Sequence, residues 1–300
     1  MGEGQPRLGF VGVGAMGLPM ARHLLRAGFP LACCTRRDEA AATITAAGGI
    51  RLSDPAAVAA WCDVLLTCLP ADAEVTDVVL GAGGALAALR PGTTIIELST
   101  IAPATVRRVA EAAAERGISV LDAPISGGTS GAEAATLAIM VGGAAETFAA
   151  CGPILAALGK QITHVGPVGM GKVFKLCNQY LAAANTALVG EALTMAAKAG
   201  ANLPLLVEVL SASSGASRAL SGAAPHLLAP PTSVGFRLDL MRKDLGLALA
   251  LGAETRTPLT TGAVAYQLYS AASASGMGDG NYTELGRLVA QLAGTTLAQD

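Results

Sequence analysis

Three groups of residues along this 300-residue chain have types and spacings that can do chemistry. Lys175, Asn178 and Gln179 fall at i, i+3 and i+4, so on a helix they share one face while Val173, Leu176, Cys177 and Tyr180 can point elsewhere. An ammonium and two amides are costly to bury on an otherwise apolar helix, so something polar belongs opposite them. The segment Asp122-Ala123-Pro124-Ile125-Ser126-Gly127-Gly128 offers consecutive glycine N–H groups and a hydroxyl, a concave nest suited to a carboxylate. Gly12-Val13-Gly14-Ala15-Met16-Gly17 is GxGxxG between an apolar strand and a helix, the context in which this pattern cradles a pyrophosphate. There Gly12 permits the sharp turn, Gly14 lets the backbone approach the phosphates, and Gly17 lets the helix pack closely. The helix N-terminus adds N–H donors and partial positive charge.

A dinucleotide is therefore expected, and the end of the second strand bears on which one. An acidic residue about 20 positions on would bind the adenosine ribose diol. Here the chain reads Thr35-Arg36-Arg37, and guanidinium groups suit a 2′-phosphate. NADP(H) is favoured over NAD(H), with NAD(H) kept open because Asp38 follows at once.

These residues need elements to hold them. Short aliphatic runs at 8–11, 31–35, 64–68, 94–98, 119–122 and 137–141 predict strands. Helix-like stretches lie between them at 15–27, 38–47, 103–116 and 146–158. That alternation calls for a doubly wound, largely parallel α/β sheet. Beyond Gly169 the strand signal stops. A long helix is expected over 173–199, followed by helices at 204–212, 240–252, 258–274 and 283–292. The expected organisation is a Rossmann-like NAD(P)-binding domain over 1–165 and an all-α domain for substrate binding and oligomerisation over 166–300.

Composition narrows the function. Charged residues make up 14%, aromatics 3%, and the net charge is -2, which gives neither the basic field nor the stacking surfaces of a nucleic-acid binder. No unbroken apolar run approaches the roughly 20 residues a bilayer needs. The opening Met1 to Arg7 lacks the pattern of a secretory signal, so a cytoplasmic protein is expected. Six cysteines without CxxC spacing read as free thiols and indicate no metal site. His23, on the first helix, His164, before a Gly-Pro turn, and His226, in a Pro-rich loop, have no triad spacing and read as structural or solvated. Trp61 reads as packing, and Glu191 and Lys198 as rim or interface charges.

Taken together, the motifs resemble the β-hydroxyacid dehydrogenase family, which includes 3-hydroxyisobutyrate dehydrogenase, tartronate semialdehyde (2-hydroxy-3-oxopropionate) reductase and L-threonate dehydrogenase. The resemblance spans essentially the whole chain: GxGxMGxPMA at 12–21, DAPxSGG at 122–128, GxGxxxKxxN at 169–178, and Lys243-Asp244-Leu245. It implies a Rossmann-like domain, a helical C-terminal domain begun by a long interdomain helix, a site in the cleft between them, and homodimers or homotetramers.

By position, the resemblance implies Lys175 as catalytic general acid/base. It puts Ser126, Gly127, Gly128 and Asn178, with Gln179 beside it, on a small carboxylate substrate. Gly12, Gly14, Ala15, Met16, Gly17, Thr35, Arg36, Arg37, Leu69, Pro70, Thr100 and Lys243 fall to the cofactor. The implied reaction moves a hydride between nicotinamide and a small β-hydroxy acid or its semialdehyde, with an ammonium doing the work a zinc ion would otherwise do. Asn178-Gln179 is more similar to the tartronate semialdehyde reductase or threonate dehydrogenase branch than to the 3-hydroxyisobutyrate branch, which typically has a second Asn. Gly280-Asn281-Tyr282 departs from the Asp-containing stretch of relatives. The alternatives are an imine reductase-like enzyme, in which the lysine is replaced by Asp or Tyr, and a catalytically silent nucleotide-binding scaffold. Retention of Lys175 argues against both.

Overall fold

The computed structural model describes residues 4–230 and 234–298; the first three residues of the polar lead, 231–233 and the last two lie outside the described residues. The chain divides into two compact units, Met1–Lys175 and Leu176–Asp300. The expectation placed the break between 165 and 166. The first turn of the long helix, Met170–Lys198, belongs with the sheet because its backbone and side chains bond to strand ends in the first unit.

The first unit holds one sheet built from β1 (Leu8–Val11), β2 (Leu31–Cys34), β3 (Ile50–Arg51), β4 (Val64–Thr67), β5 (Thr94–Glu97), β6 (Ser119–Asp122), β7 (Ile125–Ser126), β8 (Leu137–Gly142) and β9 (Gly159–Gly166). Its order is β3-β2-β1-β4-β5-β6-β8-β7, with β9 also beside β8. The run from β3 to β6 is parallel throughout. In contrast, β8 runs antiparallel to β6 and β7 and parallel to β9. Successive strand residues point to opposite faces, and both faces are covered. Leu66 and Ile96 join Met20 and Leu24 in one cluster, while Leu65 and Ile95 join Val58 and Val106 in the other.

The six strands read from apolar runs are present to within a residue at each end. β3 and β7 are too short to carry a pattern. β9 escaped because it is polar and largely uncovered, as Lys160, Gln161, Thr163 and His164 show. Four short helices, Pro55–Trp61, Asp72–Leu80, Ala85–Ala88 and Gly128–Glu133, were not among the expected elements. Asp54 caps the first of them by accepting from the Ala57 N–H at 2.8 Å. The single helix expected over 146–158 is two, Ala145–Ala150 and Gly152–Ala156, broken at Cys151 ahead of Gly152 and the donor-less Pro153.

The second unit is helical. Besides the rest of the long helix it contains Leu203–Ser211, Arg218–Leu228, Leu238–Glu254, Thr260–Ala272 and Leu285–Leu292. Its cores gather around Tyr269 and Met241, and around Leu193 and Leu227. A Cβ on Gly190 would lie 2.7 Å from the Gly286 Cα, so paired glycines let two helices touch backbone to backbone. His226 lies within helix Arg218–Leu228, not in a loop; Pro225 is accommodated inside that helix. The other two histidines are held structurally: His23 Nε2 lies 2.8 Å from the Glu133 carbonyl oxygen, and His164, in β9, stacks on Phe148. Among the described residues no helix is long and apolar enough to cross a membrane.

At the start of β4, Asp63 accepts from the Arg7 side chain at 3.0 and 2.8 Å and from the Arg7 N–H at 3.0 Å, tying the starts of β1 and β4 together. The Arg7 hydrogen bond holds the Asp63 carboxyl below its ordinary 3.8. A depressed carboxylate stabilises the fold above its unfolded value, and that contribution is lost as pH falls through the lower folded value. Thermal melts of D63N should therefore lie below wild type at pH 7, with the difference narrowing as pH falls below the ordinary carboxylate value. A gap independent of pH would show that the charge is irrelevant.

Candidate active site

The mutually parallel strands β1 to β6 deliver their following loops to the same edge, the edge where α/β folds bind ligands. After β1 comes the glycine turn. Gly12 has φ +99°, and a Cβ there would lie 2.2 Å from the Cys68 carbonyl oxygen; a Cβ on Gly17 would lie 2.0 Å from the Gly12 carbonyl oxygen. Gly14 is different, because a Cβ there meets nothing within 4 Å. Two glycines thus close the turn against the protein and the third leaves an open side, a cradle that fits a pyrophosphate. Ala15 and Met16 lead into the helix Gly17–Arg26.

The end of β2 is cationic. The Arg37 guanidinium donates to the Val13 carbonyl oxygen at 2.5 Å, which brings it against the glycine turn. Asp38, the carboxylate that kept a ribose diol possible, is engaged by Arg51 at 2.9 Å, and Arg51 also donates to the Thr35 carbonyl oxygen at 3.0 Å. Arg36 is exposed beside them.

A charged cluster sits at the ends of β4, β5 and β6. Lys172 is fully buried, and its ammonium donates to the carbonyl oxygens of Glu97 and Ser99, each at 2.9 Å. It also lies 2.5 Å from Glu97 Oε2, as an ion pair rather than an aligned hydrogen bond. The other oxygen, Glu97 Oε1, accepts from the Ser99 N–H at 3.0 Å and the Thr67 hydroxyl at 3.4 Å. The Ser99 hydroxyl in turn accepts from the Leu69 N–H at 2.8 Å. This places Leu69-Pro70 and the Ser99-Thr100 segment in one bonded assembly with the start of the long helix.

Asp122 completes the anchor by accepting from the Lys172 N–H at 3.0 Å. Burial pushes its carboxyl up, with the nearby Lys172 ammonium acting against that rise. Burial likewise pushes the neighbouring Cys68 thiol up to about 12, so it is inert. The glycines of the 169–178 motif now have reasons. Gly169 has φ +96°, and a Cβ on Gly171 would lie 2.5 Å from both the Asp122 and Met140 carbonyl oxygens. Lys175 follows Lys172 by one turn and is 6% exposed. Ser126 ends β7, and Gly127 and Gly128 have φ of +138° and +63°, so their N–H groups can bend into a nest.

In the second unit, Asn178 Nδ2 donates to Gln179 Oε1 at 3.0 Å, and Gln179 Nε2 donates to Asp244 Oδ2 at 2.6 Å. Asp244, 2% exposed, also binds the Lys243 ammonium at 2.9 Å. Three residues expected at the site are thus joined through a buried carboxylate to which the sequence reading assigned no role. Lys172, Glu97 and Ser99 were missed too. Lys172 precedes Lys175 by three residues, so the same i, i+3 rule that grouped Lys175 with Asn178 puts it on that face. Nothing in the strand Thr-Ile-Ile-Glu distinguishes a buried Glu97 from a solvated strand end.

The sheet, the glycine cradle and the anchored lysine helix define an NAD(P)-dependent oxidoreductase fold. Residues 7–166 match the model of the NAD-binding domain of 6-phosphogluconate dehydrogenase, and residues 169–289 match that of the NAD-binding domain of NADP-dependent 3-hydroxyisobutyrate dehydrogenase. The chain is 37% identical over 97% of its length to 2-(hydroxymethyl)glutarate dehydrogenase of Eubacterium barkeri, covering 97% of that protein. It is 39% identical over 88% of its length to 3-hydroxyisobutyrate dehydrogenase of Pseudomonas aeruginosa, covering 91% of it. It also superposes on the structure of Mycobacterium tuberculosis 3-hydroxyisobutyrate dehydrogenase with L-serine at a TM-score of 0.86 and 32% identity, covering 95% of this chain and 99% of that one. The chain belongs to the β-hydroxyacid dehydrogenase family of NAD(P)-dependent enzymes.

A methyl group at residue 171 would push the helix start off β6 and β8. Gly171→Ala should cost about 1–3 kcal/mol in urea unfolding, the range for overpacking a closed contact. A neutral substitution would mean the helix start is not pressed on the sheet.

Proposed function

We propose that this enzyme reduces and oxidises a small polar β-hydroxy acid and its semialdehyde, of the 3-hydroxyisobutyrate or 2-hydroxy-3-oxopropionate type, with NADP(H) preferred and Lys175 as the general acid/base. The observation that carries this reading is the anchoring of the lysine helix. Lys172 pins its first turn to the strand ends from which Leu69-Pro70 and Thr100 emerge, with Lys175 one turn further on.

Gly12, Gly14, Ala15, Met16 and Gly17 hold the pyrophosphate in this reading, Thr35, Arg36 and Arg37 the adenosine end, and Leu69, Pro70, Thr100 and Lys243 the nicotinamide end. The preference for a 2′-phosphate is supported by three guanidinium groups near the end of β2 and by the engagement of Asp38 with Arg51. When bound, the reduced nicotinamide supplies the hydride for the carbonyl carbon. The chain's own groups manage the rest. Ser126 and the N–H groups of Gly127 and Gly128 hold the substrate carboxylate. The Lys175 ammonium donates to the carbonyl oxygen, stabilises the negative charge that grows there, and gives up its proton to form the hydroxyl. In oxidation the neutral amine takes that proton back. Asn178 orients the substrate from one turn along the same helix, and Gln179 serves it by binding Asp244.

The reading includes assembly into a homodimer or homotetramer. Phe174, Leu181, Leu188 and Met195 recur every seven residues along the long helix and are 49%, 58%, 51% and 72% exposed in the single chain, an apolar stripe of the kind a second copy covers. Leu181→Glu with Leu188→Glu should lower the mass in sedimentation equilibrium, and an unchanged mass would place any interface elsewhere.

The decisive assay follows NADPH and NADH oxidation against short semialdehydes and 2- and 3-oxo acids. Wild type should favour NADPH, and R36A/R37A should lose about tenfold or more of that preference. Lys175→Ala should bind NADPH as wild type does while kcat falls about a hundredfold or more. Retained turnover in Lys175→Ala would remove the lysine from the chemistry, and an inactive wild type would overturn the reading.

A further inference from the structure

The buried cluster around Lys172 has more connections than a helix anchor needs. Each of its three ammonium protons has an acceptor within reach: the Glu97 carbonyl oxygen, the Ser99 carbonyl oxygen and Glu97 Oε2. With nothing left to donate, Lys172 does not act on substrate. Glu97 continues the chain through the Ser99 N–H and the Thr67 hydroxyl, and Ser99 extends it to the Leu69 N–H. Three separate segments therefore end on one ion pair: the loop after β4, the loop after β5, and the first turn of the lysine helix.

We propose that the Lys172–Glu97 pair is a positioning device that fixes Lys175 relative to the loops lining the nicotinamide end of the cofactor site. The inference rests on the reading of Lys175 as the acid/base. Its physical basis is the difference between geometry and affinity. The pyrophosphate cradle lies on the turn after β1 and gains most of its hold from backbone N–H groups there. The pair instead sets the offset between Lys175 and the Leu69-Pro70 and Thr100 segments, and an offset of about 1 Å can lower turnover about a hundredfold. An ion pair suits this task because its ammonium reads three oxygens at once, whereas an apolar contact slides. Removing one charge leaves the other buried and uncompensated, while removing both restores a neutral interior.

The test uses Lys172→Met, Glu97→Gln and the double variant in the full-length enzyme, measuring melting temperature, NADPH affinity, steady-state kinetics and amide hydrogen exchange. Each single variant should melt well below wild type, and the double variant should regain most of that loss. Its kcat should nevertheless stay at least about tenfold down, with NADPH Kd and substrate KM within about threefold of wild type. Without cofactor, its exchange should rise together at the Leu69 N–H, at 99–100 and at 172–176, and stay at the wild-type level in the turn 12–17. Recovery of kcat alongside melting temperature would overturn the inference and leave the pair a stability element. Exchange that rises at only one of the three segments would overturn it as well. An inactive wild type would instead sink the assignment of Lys175, a result distinguishable because exchange in the double variant still reads the coupling of the segments.

Discussion

An ammonium and a carboxylate removed from water at the end of a parallel sheet are the constraint on which the first unit is organised. The pair formed by Lys172 and Glu97 is fully buried. Such a pair is not a strong source of stability, because desolvation of two charges cancels much of their attraction. What it imposes is geometry. A buried ammonium must satisfy three protons, so the strand end at Glu97, the carbonyl of Ser99 and the helix at Lys172 have one arrangement that avoids an orphaned charge. Asp122 adds the backbone of the same helix turn to that arrangement.

Close backbone approach is the second condition. Gly12, Gly17 and Gly171 stand where a Cβ would strike a carbonyl oxygen at 2.2, 2.0 and 2.5 Å. Gly14 stands where a Cβ would meet nothing. The distinction separates glycines that shape the protein from one that shapes its open surface, and it makes physical sense of a motif in which all three letters look alike. On the same edge, helix N-termini and guanidinium groups supply the positive field that a phosphate-bearing ligand needs.

In the helical unit the constraint takes another form. Asp244 is a buried acid held between the Gln179 amide and the Lys243 ammonium, and Gln179 also orients Asn178. The glutamine that departs from the double-Asn pattern is long enough to reach that carboxylate. Because each of these bonds involves the next residue along, Asn178, Gln179, Asp244 and Lys243 form one connected set of polar groups inside the helical unit.

The six apolar strands, the glycine turn, the long helix and the polar stripe on it were legible from residue order alone, because period and turn chemistry are local properties. So was the family, since its motifs combine those local features in a fixed order. β9 was not legible, because a strand that leaves most of its residues in water lacks an apolar period. His226 read as a loop residue, yet its helix runs on through Pro225, which local rules would take as a break. The roles of Lys172, Glu97 and Asp244 were equally hidden. Whether a charged residue is solvated or buried against a partner 75 positions away in the chain is settled only when strand ends and helix starts converge, since desolvation and pairing belong to the folded arrangement and to no single stretch of sequence.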